Sequence, residues 1–574
     1  MDYKILYKEW LDDPYYDEDT KNELRSIADD ENEIRERFYT ELEFGTAGLR
    51  GIIGAGLNRM NTYTVRKATQ GLANYIIMQN GQDRGVAIAF DSRNMSPEFA
   101  DVAALCLAAN GIKAYVFESL RPTPELSYAV RKLGCIAGIN ITASHNPAEY
   151  NGYKVYWEDG AQITPPHDKG ITEQVRAIKN CNTCLTMSKD EALAEGLYVS
   201  IGKDIDDSYV AELMKLILHK DVIEKAGDNI TIVYSPLHGT GNIPVRRVLK
   251  ELGFSKVFVV PEQEKPDGNF PTVSYPNPEA DEAWELAMKL AEEVNADIVL
   301  ATDPDADRLG VHVKDKEGNY HALTGNMSGC LLAEYEISQK KALGILPDDG
   351  VLIKTIVTTN LSDAIAKNYN VELMEVLTGF KYIGQKILEF EKSGRGTYLF
   401  GFEESYGCLI GTHARDKDAV VATVALCEAA AYYKSCGMTL WDAMSDMYER
   451  YGYYLETTKS LTLKGMEGLA KIQKIMEDIR KEKPDTLGSY KVEKIRDYKE
   501  DTILDIKSGK VTPTGLPESN VIYYDLNDGA WVCIRPSGTE PKIKFYMGVR
   551  GNGFEDASKR LESLAALMME KYGK

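Results

Sequence analysis

No run of this 574-residue sequence approaches the ~20 apolar residues that a membrane-spanning helix requires, and the opening "MDYKILYKEW" is too charged for a signal peptide. The hydrolase signature GxSxG is absent, as are GxGxxG and the Walker pattern, so no serine-hydrolase elbow, dinucleotide fold or P-loop is expected. Cys181 and Cys184 form one CxxC with no second pair, short of the four ligands of a structural zinc site. The nine cysteines are odd in number and sit mostly in apolar segments such as "AALCLAA" and "VALCEAA", which fits reduced core thiols in a reducing compartment. Cations are also in deficit. Against 88 Asp and Glu there are 67 Lys and Arg, a formal net charge of −21. So acidic a surface repels nucleic acid and anionic lipid. It leaves room for a small anionic ligand only where a local basic cluster overcomes the global field. The expectation is a cytoplasmic protein with neither nucleic acid nor membrane as partner.

What remains is a long chain of ordinary globular composition, 44% hydrophobic and 27% charged. At roughly 150 residues per domain, about four domains are expected. Residues 1 to about 43 are charged and helix-permissive ("KNELRSIADDENEIRERF"). Beyond them, β-branched apolar runs alternate with helical patterns: "GVAIAF" with "SPEFADVAALCLAANG", "KAYVFE" with "TPELSYAVRKLG", then "CIAGINI". That alternation predicts βαβ units and a mostly parallel sheet. It recurs from "NITIVYSPLHG" to "ADIVLATDPDAD", and again from "GVLIKTIVTT" to "GTYLFGFEESYG". From about residue 451 tyrosine-rich strands ("YGYYLE", "VIYYDL", "AWVCIR") mix with two helical stretches, an α+β pattern. The expected domains are 1–205, 206–325, 326–450 and 451–574, three α/β and one α+β.

Ligands of open α/β sheets bind at the carboxyl ends of strands, and the unusual polar loops of this chain follow strands. "TASHNP" places Ser144 after "CIAGINI". A serine is a poor nucleophile until a base, a dry pocket or a metal activates it, and "SHNP" alone is a common turn. "VLATDPDADRLG" alternates Asp303, Asp305 and Asp307 at the end of an apolar run. Three such carboxylates repel unless a cation sits among them, and hard oxygen ligands suit Mg²⁺ with positions open to phosphate oxygens. An EF-hand fails, because its glycine and glutamate positions hold Arg308 and Lys314. "FGFEESYG" offers Glu403 and Ser405 to sugar hydroxyls, or is an ordinary turn. "RPSGTEPKIKFY" reads as an anion nest in which Gly538, Ser537 and Thr539 aim backbone N–H groups into one concavity and Arg535 adds a fork. "FGTAGLRGIIGAGLNRMN" is glycine-rich, with Arg50 placed to meet a phosphate. Together these loops imply phosphoryl transfer to or from a polyol.

The sequences "TASHNP" (142–147), "NGYKVY" (151–156), "DPDADR" (303–308), "GFEESYG" (401–407) and "RPSGTEPK" (535–542), supported by "FGTAGLRG", "RPTPEL" and "RDKDAV", resemble the α-D-phosphohexomutases, most closely the phosphoglucomutases, in the family's order. The resemblance covers residues 44 to 542. It implies a four-domain α/β architecture around a central cleft and an intramolecular phosphotransferase of the isomerase class. Ser144 would carry the phosphoryl group, and Asp303, Asp305 and Asp307 would hold one Mg²⁺ with a phosphoserine oxygen of Ser144. Lys154 matches a lysine suspected of proton transfer, which requires a depressed pKa. His145, Arg50 and Arg308 would attend the reacting phosphate. Thr378, Gly379 and Lys381 ("TGFKYIG"), with Glu403 and Ser405, would bind substrate, and Arg535, Ser537, Gly538 and Thr539 the distal phosphate. The implied reaction interconverts glucose 1-phosphate and glucose 6-phosphate through glucose 1,6-bisphosphate, which also serves as activator. Mannose or pentose phosphates are the alternatives within the family. A Mg²⁺-dependent sugar phosphatase using an aspartate of the trio, or a sugar-phosphate sensor, are the alternatives outside it. The expected partners are small sugar phosphates, and the chain is expected to be a monomer or weak homodimer.

Overall fold

Aspartates open the chain's first three helices. The Asp2, Asp17 and Asp30 side chains accept N–H groups in the first turns of helices Tyr3–Asp12, Glu18–Ser26 and Glu31–Phe38, satisfying donors that a helix start leaves unpaired. Their apolar faces close on a small aromatic core. Trp10 stacks on Tyr16 at 4.1 Å and meets Phe38 and Tyr63 edge-on, each at 5.6 Å. Trp10→Ala is expected to cost about 3–5 kcal/mol of local stability, measurable as faster proteolytic cleavage within residues 2–40 while the rest of the chain stays protected. The computed structural model describes residues 2–45, 48–463, 465–537 and 542–572.

Two compact units emerge, and they do not follow chain order. One comprises Met1–Thr324, Phe380–Arg395 and Ser405–Thr439; the other comprises Gly325–Gly379, Gly396–Glu404 and Leu440–Lys574.

The first unit holds two sheets. Strands β1 (Gly48–Ile52), β2 (Val86–Phe90), β3 (Ala114–Phe117), β4 (Ala137–Ile141), β5 (Tyr150–Trp157) and β6 (Tyr198–Ile201) run in the order β1-β5-β4-β2-β3-β6. β4, β2, β3 and β6 are parallel, whereas β5 lies antiparallel between β4 and β1. Every residue of β2 and β4 is buried, as expected for parallel strands covered on both faces. Strands β7 (Thr231–Ser235), β8 (Lys256–Val259), β9 (Ile298–Thr302), β10 (Leu309–Lys314) and β11 (Tyr320–Leu323) form the second sheet, ordered β11-β10-β9-β7-β8. β9, β7 and β8 are parallel, while β10 and β11 return antiparallel. The mostly parallel sheets read from the sequence are present, each with an antiparallel border.

In the second unit, β12 (Gly350–Thr355) is fully buried between parallel neighbours β13 (Glu372–Val376) and β14 (Thr397–Glu403). The tyrosine-rich tail forms an antiparallel sheet in which Tyr453–Thr462 pairs along its whole length with Lys542–Gly551. Helices Gly465–Lys481 and Phe554–Tyr572 accompany it, the α+β pattern expected. No helix among the described residues is long and apolar enough to cross a membrane.

Candidate active site

Three buried parallel strands deliver polar residues at their carboxyl ends: Asp91 and Arg93 after β2, Ser144 after β4, and Asp303, Asp305 and Asp307 after β9. Ser144 sits at φ 52°, a left-handed conformation costly for a residue with a side chain and characteristic of functional loops. Its N–H donates to Thr142 Oγ1 (2.8 Å), and its hydroxyl donates to Asp303 Oδ2 at 2.7 Å. His145 Nδ1 lies 3.2 Å from Ser144 Oγ. β5 passes beneath at Gly152, where a Cβ would fall 2.4 Å from the Thr142 carbonyl oxygen.

Asp303, Asp305 and Asp307 are buried, each offering a carboxylate oxygen within 4.8 Å of the others. Lys154 donates to Asp305 Oδ2 (2.7 Å), as does Thr123 Oγ1 (2.9 Å), and Lys417 lies 3.3 Å from Asp307 Oδ2. Asp305 Oδ1 and Asp307 Oδ1 have no hydrogen-bond partner among the described residues, although buried acceptors are normally satisfied. Burial, then its two neighbours, pushes the Asp303 carboxyl well above the usual range. Burial acts on Asp305 in the same direction, but Lys154 outweighs it and holds that carboxyl below the usual range. Buried, mutually repelling oxygens with unused lone pairs form a donor set suited to a hard divalent cation such as Mg²⁺.

The cations around Ser144 differ in state. Burial, reinforced by the Arg308 and Arg50 charges, drives the His145 pKa well below 6.5, so the ring is neutral at pH 7. Burial opposes charge on Lys154, yet Asp305 and Asp307 raise its pKa above the ordinary value. This is the reverse of what a general base needs. Arg50 reaches Asn146 Oδ1 (3.2 Å) and Arg308 reaches Glu279 Oε1 (2.8 Å). The fold thus brings Ser144, His145, Lys154, Arg50, Arg308 and the three aspartates into one unit. Lys381 belongs to the same unit, at the start of helix Phe380–Ser393. Burial lowers its pKa against the pull of Asp168.

Arg93 escaped the sequence reading. This fully buried guanidinium donates to the carbonyl oxygens of Ser144 (2.6 Å), Asn146 (2.5 Å), Pro147 (2.8 Å) and Tyr150 (3.0 Å), with Asp91 at 3.4 Å as counter-ion. The sequence signal was "DSR" directly after the apolar run "GVAIAF". Thr123 and Lys417 lie inside "RPTPEL" and "RDKDAV", where nothing in the local sequence distinguishes either from its neighbours.

The boundary between units divides "GFEESYG". Ser405 goes with Ser144, next to Tyr406, whose carbonyl accepts the Leu309 N–H (3.0 Å) at the start of β10. Glu403 ends β14 in the other unit, buried, and accepts the Gly379 N–H at 2.8 Å. Beside it, Thr378 Oγ1 is buried without a hydrogen-bond partner among the described residues, an arrangement open to a substrate oxygen. In that unit Arg535 pairs with Lys544 across neighbouring strands, and the Ser537 N–H donates to the Lys542 carbonyl (2.7 Å). Gly538 and Thr539 lie outside the described residues.

Sequence models of the phosphoglucomutase/phosphomannomutase family match four successive stretches. The α/β/α domains I, II and III match residues 41–181, 207–318 and 324–451, and the C-terminal domain matches 467–553. A phosphoglucomutase of Staphylococcus aureus is 37% identical over 534 residues, covering 93% of this chain and 94% of that one. Among solved structures, parafusin (phosphoglucomutase) of Paramecium superposes with a TM-score of 0.69 at 17% identity, over 93% of this chain and 96% of that one. A phosphoglucomutase/phosphomannomutase family protein of Burkholderia thailandensis gives 0.64 at 19%, over 92% and 98%. With the serine loop, the acidic trio and all four domain models in register along one chain, this protein belongs to the phosphoglucomutase/phosphomannomutase family of phosphohexomutases.

Proposed function

We propose that the protein is a cytoplasmic phosphoglucomutase interconverting α-D-glucose 1-phosphate and glucose 6-phosphate through a Ser144 phosphoenzyme. The observation that carries this reading is the Ser144 hydroxyl, held in a strained turn 2.7 Å from a buried acidic trio that has lone pairs to spare. A phosphoryl group on Ser144 adds roughly −1.5 to −2 charge, so it must share its position with a cation. Asp303, Asp305 and Asp307, with a phosphoserine oxygen, would hold Mg²⁺, which supplies charge neutralisation at the phosphoryl oxygens.

In the forward half-reaction the 6-hydroxyl of glucose 1-phosphate forms a bond to phosphorus as the bond to Ser144 Oγ breaks. The hydroxyl loses one proton and the serine oxygen gains one, leaving the proton count unchanged. Neutral His145, 3.2 Å from Ser144 Oγ, is placed to exchange a proton at that oxygen, while cationic Lys154 contributes charge and hydrogen-bond donation. Such transfer depends chiefly on positioning and electrostatics. The resulting glucose 1,6-bisphosphate then returns its other phosphoryl group to Ser144, and the same compound, added free, activates dephosphorylated enzyme. Arg50 and Arg308 would bind the reacting phosphate. Thr378, Gly379, Lys381, Glu403 and Ser405 would receive substrate oxygens, and Arg535, Ser537, Gly538 and Thr539 the idle phosphate. We assign the four domains to residues 1–205, 206–325, 326–450 and 451–574 and expect a monomer or weak homodimer.

Intact mass with peptide mapping tests the mechanism. Purified protein is expected to carry phosphate on Ser144 and to lose it to glucose 1-phosphate; full activity without phosphoserine or added bisphosphate overturns the scheme. A panel of α-1-phosphates compared by kcat/KM tests the sugar, and glucose ranking well below mannose or ribose overturns that assignment.

A further inference from the structure

The helical segment ahead of residue 41 lies outside the family-model matches, yet it grips the loop that carries the chain away from Arg50. That loop, residues 53–60, is a narrow turn closed by the Met60 N–H on the Ile52 carbonyl (2.8 Å) and by Asn61 Nδ2 on the carbonyls of Gly54 and Gly56 (both 2.9 Å). At its tip both backbone groups of Ala55 are taken by an ion pair from the helices. Glu23 accepts the Ala55 N–H on each carboxylate oxygen (both 3.1 Å), Arg37 Nη1 donates to the Ala55 carbonyl (3.0 Å), and the two side chains meet at 2.5 Å. Glu33 fixes the other edge of Arg37 (2.8 Å), and the Arg37 carbonyl accepts the Asn58 N–H (2.9 Å). The fit is close: a Cβ on Gly56, at φ +132°, would lie 2.9 Å from Arg37 Cβ and 3.0 Å from its carbonyl oxygen.

The opposite end of the same loop touches the serine loop. The Ile53 N–H donates to the Glu149 carbonyl (2.8 Å), Ile52 pairs with Tyr150, and Arg50 reaches Asn146 two residues past Ser144. A path of hydrogen bonds, side chain to backbone at Ala55, backbone to backbone between Ile53 and Glu149, and side chain to side chain between Arg50 and Asn146, therefore joins the Glu23–Arg37 pair to Arg50 and the Ser144 turn. The extension also packs through an apolar cluster of Tyr7, Trp10, Tyr16, Leu24, Ile34 and Phe38 that takes in Ala55 and Tyr63, so the ion pair is not its sole support.

We propose that Glu23 and Arg37 are positioning residues for phosphoryl transfer: they clamp Ala55 and thereby fix Arg50 and the serine loop relative to each other. The proposal rests on Ser144 being the phosphoryl carrier. The test is a single-turnover measurement on full-length enzyme labelled with radioactive phosphate at Ser144 and mixed with saturating glucose 1-phosphate. The transfer rate constant does not depend on the fraction of folded enzyme, so simple destabilisation leaves it unmoved. Glu23→Gln and Arg37→Gln are expected to slow transfer about ten- to hundredfold, the scale of small misplacements at a reacting centre. KM should change by less than about threefold, and Arg37→Lys should recover part of the rate. Lys4→Ala, which removes an exposed ion pair with Glu31 in the same helices, should match wild type. If Glu23→Gln proves insoluble, Arg37→Lys against wild type decides. Transfer within twofold of wild type in the soluble variants overturns the clamp. Absence of transfer in wild type instead overturns the phosphoserine reading.

Discussion

Ser144→Ala is expected to lower kcat by at least about 10⁴-fold, some 5.4 kcal/mol of transition-state stabilisation, while leaving the protein folded. The loss is large because no neighbour can take over. His145 is neutral and close but would form a different, unanchored phosphoryl adduct, and Asp305 and Asp307 are each already paired, through one oxygen, with Lys154 and Lys417. The stability cost is small. Alanine must still adopt φ 52°, but serine already bears that penalty, and the change removes a single side-chain hydrogen bond to Asp303. Ser144→Gly makes the separation cleaner, because glycine enters the left-handed region without penalty. It should melt at or above the wild-type temperature and be equally inactive. Retention of more than about 1% of wild-type kcat by either variant sinks the carrier role. Release of free phosphate by both would point instead to a phosphatase whose nucleophile is one of the aspartates.

The parts of this site that are legible in sequence share one property: their chemistry is local. The runs "GVAIAF", "CIAGINI" and "ADIVLAT" become fully buried parallel strands; β2 and β4 bring Arg93 and Ser144 together at one edge of their shared sheet, while the aspartates come from the end of β9 in the other sheet. Asp303, Asp305 and Asp307 are adjacent in the chain, so their repulsion is visible before any fold is known. Arg93 is different. Its acceptors are main-chain carbonyls 51 to 57 residues further on, and a carbonyl has no residue-type signature. Lys417 meets Asp307 across 110 positions and reads in sequence as one charge among "RDKDAV". Lys154 was legible as a member of the site but not in its charge. Its contact with Asp305 at 2.7 Å, which favours the charged form of the lysine, appears only in three dimensions. The division of "GFEESYG" between two compact units likewise follows from which neighbours Glu403 and Ser405 find in three dimensions.

Arg93→Met is expected to be the most damaging change at a residue that need not touch substrate. The guanidinium presents several donors in one rigid plane, and four of the serine loop's carbonyls converge on it, that of Ser144 included. A left-handed turn costs about 1–2 kcal/mol per non-glycine residue, so the loop relaxes once its clamp is gone. Methionine fills the space and keeps contact with Phe270, over which the guanidinium now lies at 5.0 Å. It removes a donor from four carbonyls, that of Ser144 fully buried, and leaves Asp91 without its counter-ion. Breaking a buried pair in this way typically costs 3–5 kcal/mol, enough to lower the melting temperature measurably in a protein of ordinary stability. Activity should fall further than the folded fraction does. A shift of about 1 Å in Ser144 Oγ is worth about a hundredfold in rate, and the effect should appear in kcat and in the yield of Ser144 phosphorylation more than in KM. Arg93→Lys retains the charge but cannot span four acceptors, so it should lie between wild type and Arg93→Met in both stability and transfer rate. A methionine variant that phosphorylates fully and turns over within threefold of wild type would show that the serine turn holds its shape without the clamp, leaving Arg93 as packing alone.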